Sequence, residues 1–175
     1  MTTSKLVLLF AFALALAIPL GARADPPGDP TAVKQDETVM WKDKNGDPTF
    51  KVAADGTVDW YTFSGFRRYN SICFVCHGPD GSGSSFAPAL ADSLKTMDYS
   101  TFAGVVVNGR KDFLNGQDKV MPSFADNKNV TCYLNDIYVY LRARSTGALG
   151  RGRPLHHAAK TGHYGDNEDK CMADN

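Results

Sequence analysis

The chain has 175 residues, 22% of them charged, with 19 basic side chains against 19 acidic ones. A nucleic-acid binder carries a marked basic excess, so that class is excluded. Met1–Lys5 is followed by an unbroken apolar run from Leu6 to Leu20 and then by Gly21-Ala-Arg-Ala24. A basic start, a short apolar middle and a small-x-small ending predict a secretory leader over residues 1–24, cleaved after Ala24. A membrane span needs about 20 apolar residues, more than this run supplies. The expected product is exported to the periplasm, monomeric and without a membrane span. Its 151 residues are one domain's worth, enough to bury a proper core.

Residues 25–63 form the next segment. Its first part, to residue 48, is rich in Pro, Asp and Lys and is expected to be an extended arm with little structure of its own. Two short β-prone runs, Phe50–Val52 and Thr57–Trp60, flank Asp55-Gly56, which predicts a small hairpin. Three helices follow over residues 64–145. Gly65, Tyr69, Ile72 and Cys73 fall at i, i+4, i+7 and i+8, so one helical face ends at the cysteines. Tyr99, Phe102, Ala103 and Val106 keep the same period, with Asp98 as N-cap and Gly109 as stop. Leu134, Ile137, Tyr138 and Leu141 make the third helix, fading near Ser145-Thr-Gly147. Residues 78–89 and 110–128 read as loops. Residues 146–175 read as a polar, irregular tail wrapping the core.

Cys73-Phe-Val-Cys76-His77 carries the chemistry. Two thiols three residues apart lie on nearly one side of a helical turn, where they can add to the two vinyl groups of one porphyrin. The next imidazole then falls under the iron. A thiol–disulfide redox motif needs a βαβ context, and a zinc site needs a second cluster; neither is in the sequence. One covalent haem c is therefore expected, with His77 as proximal ligand. Met121 in Val120-Met-Pro-Ser-Phe124 is the candidate sixth ligand, a soft thioether that raises the potential relative to two imidazoles. Met97, Met172, His156, His157 and His163 are its rivals, the histidines being expected in solvent. The proximal His needs a hydrogen-bond acceptor to fix its tautomer, and the carbonyl of Pro88 is the candidate.

The order Gly65-x-x-x-Tyr69, Cys-x-x-Cys-His-Gly, Pro88-x-Leu90, Asn108-Gly-Arg110, Met121-Pro and Tyr140-Leu141 resembles class I cytochrome c over residues 64–145. The resemblance implies a mostly α fold wrapped around one haem. Its first helix crosses its last through Gly65 and Tyr69 against Tyr138 and Leu141. It also implies an electron carrier rather than an enzyme. A narrower resemblance covers residues 50–155. Arg67-Arg-Tyr-Asn-Ser71, Asp92-Ser-Leu-Lys-Thr-Met97, Cys132-Tyr-Leu, Leu141-Arg-Ala-Arg144 and Arg151-Gly-Arg-Pro154 look like the four-cysteine cytochromes of methanol metabolism. Those accept electrons from quinoprotein methanol dehydrogenase, particularly the lanthanide-dependent type, and pass them to another cytochrome. The alternatives are a generic carrier for another periplasmic dehydrogenase, or a haem enzyme or gas binder with an open distal side.

Two further expectations concern the surface. Cys132 and Cys171 remain once the haem has its pair, and in an oxidising compartment they are expected to form a disulfide. On the last helix Cys132 would lie about 140° from Ile137, facing outward to the tail. Residues 64–155 hold 11 basic and 7 acidic side chains. Arg67, Arg68, Arg110 and Lys111 are expected to frame a haem edge that steers an acidic partner.

Overall fold

Residues 30–114 and 116–174 are described by a computed structural model. The leader expected at residues 1–24 lies outside them. The arm is more ordered than its composition indicates. β1 (Lys34–Gln35) pairs antiparallel with β2 (Trp41–Lys42), in the register Lys34↔Lys42 and Gln35↔Trp41. Aspartates close its turns. Asp36 Oδ1 accepts from the amides of Thr38 (2.9 Å) and Met40 (3.0 Å), and Asp43 Oδ1 from those of Asn45 (2.8 Å) and Asp47 (3.0 Å). Such side-chain caps replace the ladder that a short polar segment cannot build. They let Met40 and Thr49 sit buried in the domain.

The predicted hairpin is reduced to a bridge between Val52 and Val58 around Gly56 (φ +83°). Trp60 belongs instead to α1 (Trp60–Arg68), because Asp59 caps that helix: Oδ1 accepts from the Thr62 amide at 2.9 Å and Oδ2 from its hydroxyl at 2.6 Å. α1 runs on through a π-helical turn at Tyr69–Cys73 into α2 (Phe74–His77). Then come α3 (Leu90–Ser93) and α4 (Tyr99–Asn108), the latter capped by Asp98 and stopped at Gly109 (φ +74°) as the sequence predicts.

Residues 110–128, read as a loop, contain a hairpin. β3 (Arg110–Leu114) pairs with β4 (Gln117–Met121), with Gly116 (φ +77°) in the turn. Charged residues on both strands hide its alternation. α5 (Lys128–Thr131) and α6 (Leu134–Ser145) complete the core, and α7 (Gly162–Ala173) closes the tail. The fold is mostly helical, with two small antiparallel ribbons among the described residues.

α1 crosses α6 with no room between the backbones. A Cβ on Gly65 would stand 1.8 Å from the carbonyl oxygen of Asp136 and 2.8 Å from Tyr140 Cβ. Tyr69 meets Tyr140 with ring centroids 5.4 Å apart. The α6 residues nearest Gly65 are therefore Asp136 and Tyr140. Tyr138 faces the other way, edge-on to Tyr99 (5.1 Å) and beside Phe102 (5.3 Å), where it binds α4 to α6. Tyr69, Leu94, Val139, Tyr140 and Leu141 are all fully buried there.

The tail is not irregular. Thr161 caps α7, whose hydroxyl accepts from the Tyr164 amide at 3.2 Å. Tyr164 and Cys171 reach the core from one face of it. Cys171 is bonded to Cys132 (Cα–Cα 5.8 Å), and Cys132 is the C-cap of α5 rather than a residue of the last core helix. The bridge spans 39 positions, so on a chain-entropy account it adds about 4 kcal/mol. A Cys132→Ser/Cys171→Ser variant is expected to melt roughly 10 °C lower. Calorimetry of the holo-protein checks this; an unchanged Tm would assign the tail's stability to its other contacts.

Those contacts centre on Asp136. It is 3% exposed. Tyr164 donates to its Oδ2 at 2.6 Å, and the Tyr164 hydroxyl lies 2.8 Å from that of Ser64. Burial pushes this carboxyl up to about 7, against the lowering pull of Ser64 and Tyr164. The folded protein thus keeps a proton that the unfolded chain releases. Asp136 contributes stability that is complete below the ordinary value of 3.8 and is lost as pH rises through about 7. Asp136→Asn keeps an acceptor for Tyr164 and removes the titration. Its Tm is expected to hold between about pH 5 and pH 8 while that of the native protein falls. Parallel pH profiles would place the titration elsewhere.

Candidate haem site

His77 ends α2 and is 7% exposed. Its Nδ1 lies 3.0 Å from the Pro88 carbonyl oxygen, which can only accept. Nδ1 therefore holds the ring proton and Nε2 keeps its lone pair for a metal. The loop between these residues is tightly specified. Tyr69 donates its hydroxyl to the Gly78 carbonyl at 2.6 Å, and the Gly83 amide returns to the His77 carbonyl at 2.8 Å. Gly78 (φ +71°) has no space for a side chain, since a Cβ there would be 2.3 Å from the Gly83 oxygen.

Asp80 stands inside this loop at φ +58° and is buried. Its Oδ1 accepts from the Gly152 amide (2.9 Å) and its Oδ2 from Arg151 Nε (3.2 Å). The tail thus clamps the proximal loop across more than 70 positions of sequence. Sequence reading assigned no role to Asp80, and Arg151 figured only in the phrase Arg151-Gly-Arg-Pro154. The only local signal was an Asp in Gly-Pro-Asp-Gly, a residue type that tolerates the left-handed region.

Cys73 and Cys76 are unpaired thiols, the first partly buried and the second exposed. Burial, then the neighbouring Cys76, pushes the Cys73 thiol up to about 12. A redox Cys-x-x-Cys needs a lowered thiol, so the environment opposes that reading. Two unpaired thiols on one turn and a buried imidazole with its tautomer set fit a covalent haem.

Met121 ends β4 opposite Arg110 and packs partly buried against the core. Gly109 makes this possible: a Cβ there would meet the Met121 oxygen at 2.7 Å, so the strand folds back directly on the end of α4. The Phe124 amide then donates to Val106 O at 3.1 Å. Among the rivals, Met97 also packs against the core, Met172 is on α7, and His156, His157 and His163 are exposed. The His157 ring stacks on Phe63 at 3.7 Å. Arg68 leaves the expected docking set: it binds Glu168 at 3.2 Å and lies over the Tyr133 ring at 3.5 Å. Arg110 pairs with Asp112 at 2.6 Å, and Arg67 and Lys111 are exposed.

A helical wrap with close-crossing end helices, a paired-thiol turn and an oriented histidine defines a covalent haem protein. No family model matches the chain. It is 46% identical over 148 residues to cytochrome c-553I of Paracoccus denitrificans, a match covering 85% of this chain and 66% of that protein. The chain thus spans about two thirds of that relative's length. It is 37% identical over 101 residues to cytochrome c-555 of Methylococcus capsulatus, covering 57% of this chain and 76% of that one. The crystal structure of the c-type cytochrome XoxG from Methylobacterium extorquens AM1 superposes with a TM-score of 0.73 at 51% identity, covering 81% of this chain and 86% of that chain. The chain belongs to the class I c-type cytochromes. It is a monohaem electron carrier holding haem c covalently, and it is not an enzyme. Among the described residues no helix is long and apolar enough to cross a membrane.

Proposed function

We propose that Cys73 and Cys76 hold the haem, that His77 and Met121 ligate its iron, and that the protein carries one electron in the periplasm from a quinoprotein methanol dehydrogenase to another cytochrome. The observation that carries the site is the His77 Nδ1–Pro88 carbonyl contact of 3.0 Å beside two unpaired thiols. The donor assignment rests on the narrower sequence resemblance over residues 50–155. When bound, the haem supplies the one-electron chemistry. The chain does the rest. Pro88 orients the His77 ring, and the Asp80–Arg151 clamp holds the loop between them. Met121, packed against the core, offers a thioether of fixed position.

The test is stopped-flow reduction of the purified oxidised holo-cytochrome by quinoprotein methanol dehydrogenase with methanol present. Reduction on the timescale of enzyme turnover is expected. Reduction by a different periplasmic dehydrogenase and not by this one would sink the methanol assignment and leave the electron carrier intact.

A further inference from the structure

We propose that Asp80 and Arg151 form a charge pair that tunes the reduction potential of the haem from the proximal side. Asp80 holds a negative charge fixed in the loop that follows His77, and Arg151, on the tail, offsets it. This rests on the reading of Cys73, Cys76 and His77 as the haem site. Neither residue is a ligand; both act through their field.

The loop fixes where the carboxylate stands. The Gly83 amide donates to the His77 carbonyl at 2.8 Å, so the chain from His77 to Gly83 closes on itself with Asp80 in the middle. The loop packs inward: a Cβ on Gly81 would meet Leu141 Cδ2 at 3.1 Å. The Asp80 side chain is 11% exposed and that of Arg151 69%. Oδ1 of Asp80 accepts from the Gly152 amide at 2.9 Å and Oδ2 from Arg151 Nε at 3.2 Å. Arg144, half-buried near the end of α6, donates from Nε to the Asp80 carbonyl (3.4 Å) and from Nη1 to the Leu149 carbonyl (2.5 Å). One arginine thus ties both the loop and the start of the tail to the same helix.

The backbone has no need of the charge. At φ +58° Asn is tolerated as well as Asp, and an Asn side-chain oxygen would accept from the Gly152 amide equally. Taking a carboxylate out of water carries a desolvation cost, and an ion pair whose arginine is mostly exposed returns little stability. What Asp supplies there and Asn does not is a field. That field acts inside the molecule. Burial first, and the Asp80 carboxylate next, push the Tyr140 hydroxyl above its ordinary range. Tyr140 is fully buried, and its ring lies 5.4 Å from that of Tyr69, on the π-helical turn that ends at Cys73. A negative field at the haem favours ferric iron over ferrous, which has one positive charge less; a positive field does the reverse. The two members of the pair therefore pull the potential in opposite directions. The buried member is less screened and pulls harder.

The experiment measures the midpoint potential of the holo-protein by spectroelectrochemistry for the native chain, Asp80→Asn, Arg151→Gln and the double variant. At a fixed applied potential the reduced-to-oxidised ratio is expected to rise about threefold in Asp80→Asn, roughly 28 mV at ~59 mV per tenfold change for one electron. In Arg151→Gln it is expected to fall about twofold. The double variant should lie between the two singles, close to the native protein, because both charges are gone. The visible spectrum should be native in all three. A clamp that is only structural would move both singles in one direction and the double variant furthest, since each change loosens the same loop. That pattern, or singles at the native potential, would overturn the proposal. Mass spectrometry of the digested native holo-protein tests the site reading separately. A haem peptide containing Cys73 and Cys76 keeps that reading standing whatever the potentials do; haem attached elsewhere removes both.

Discussion

Gly65→Ala is expected to abolish the folded holo-protein or to leave it severely destabilised. The added methyl carbon would sit 1.8 Å from the Asp136 carbonyl oxygen, well inside contact distance. Neither partner can yield cheaply. The obstacle is backbone in the first turn of α6, and Tyr140 one turn on is fully buried. Relief requires moving α1 off α6, which opens the contacts among Phe66, Tyr69 and Tyr140. Overpacking a core costs about 1–3 kcal/mol where side chains can adjust; here rigid backbone must move, and the cost belongs at or above the top of that range. For a domain of this size the expected loss in Tm is roughly 10 °C or more. Yield of haem-loaded protein and thermal melting by circular dichroism measure it. A variant within a degree or two of the native Tm would show that the helices do not meet this closely.

Met121→Ala is expected to change the spectroscopic state of the iron while leaving the fold in place. Met121 is at the end of β4, partly buried, with its backbone pinned against Gly109. Truncation removes the thioether and leaves the strand pairing to Arg110 intact. The weak red band of methionine-ligated ferric haem should vanish, and the reduced protein should bind carbon monoxide readily. Met121→His should keep two axial ligands and lower the potential, because an imidazole favours ferric iron more than a thioether does. An unchanged spectrum in Met121→Ala would move the role to Met97, which also packs against the core.

Local chemistry was legible in the sequence because it depends on spacing along the chain. Cys73, Cys76 and His77 are within one helical turn of each other, so their cooperation needs no folding to be read. The α4 boundaries were equally plain: Asp98 caps the helix through the Thr101 amide (2.7 Å) and Gly109 ends it in the left-handed region, both nearest-neighbour effects. The arm and the tail were misread for the opposite reason. Their order comes from contacts with distant partners: Val58 bridges to His157, and Tyr164 reaches Ser64 and Asp136. A polar helix such as α7 buries only Tyr164, which is too little to leave a hydrophobic period.

The sequence by itself determined the Cys-x-x-Cys-His turn proposed to hold the haem, and the helical class of the fold. Tertiary structure decided three other matters. It set which face of α6 meets Gly65, because helix rotation depends on all the residues packed around it. It fixed Asp80, strained at φ +58°, as the anchor for Arg151 and Gly152, a pairing more than 70 positions apart that no periodicity encodes. It also decided where the positive charge goes. Counted along the chain, the middle segment is basic; folded, Arg142 and Arg144 turn to backbone carbonyls and Arg151 to Asp80, while Arg67 and Lys111 stay exposed. A charge acts on a partner only through the solvent it faces, and only the fold determines which side chains face it.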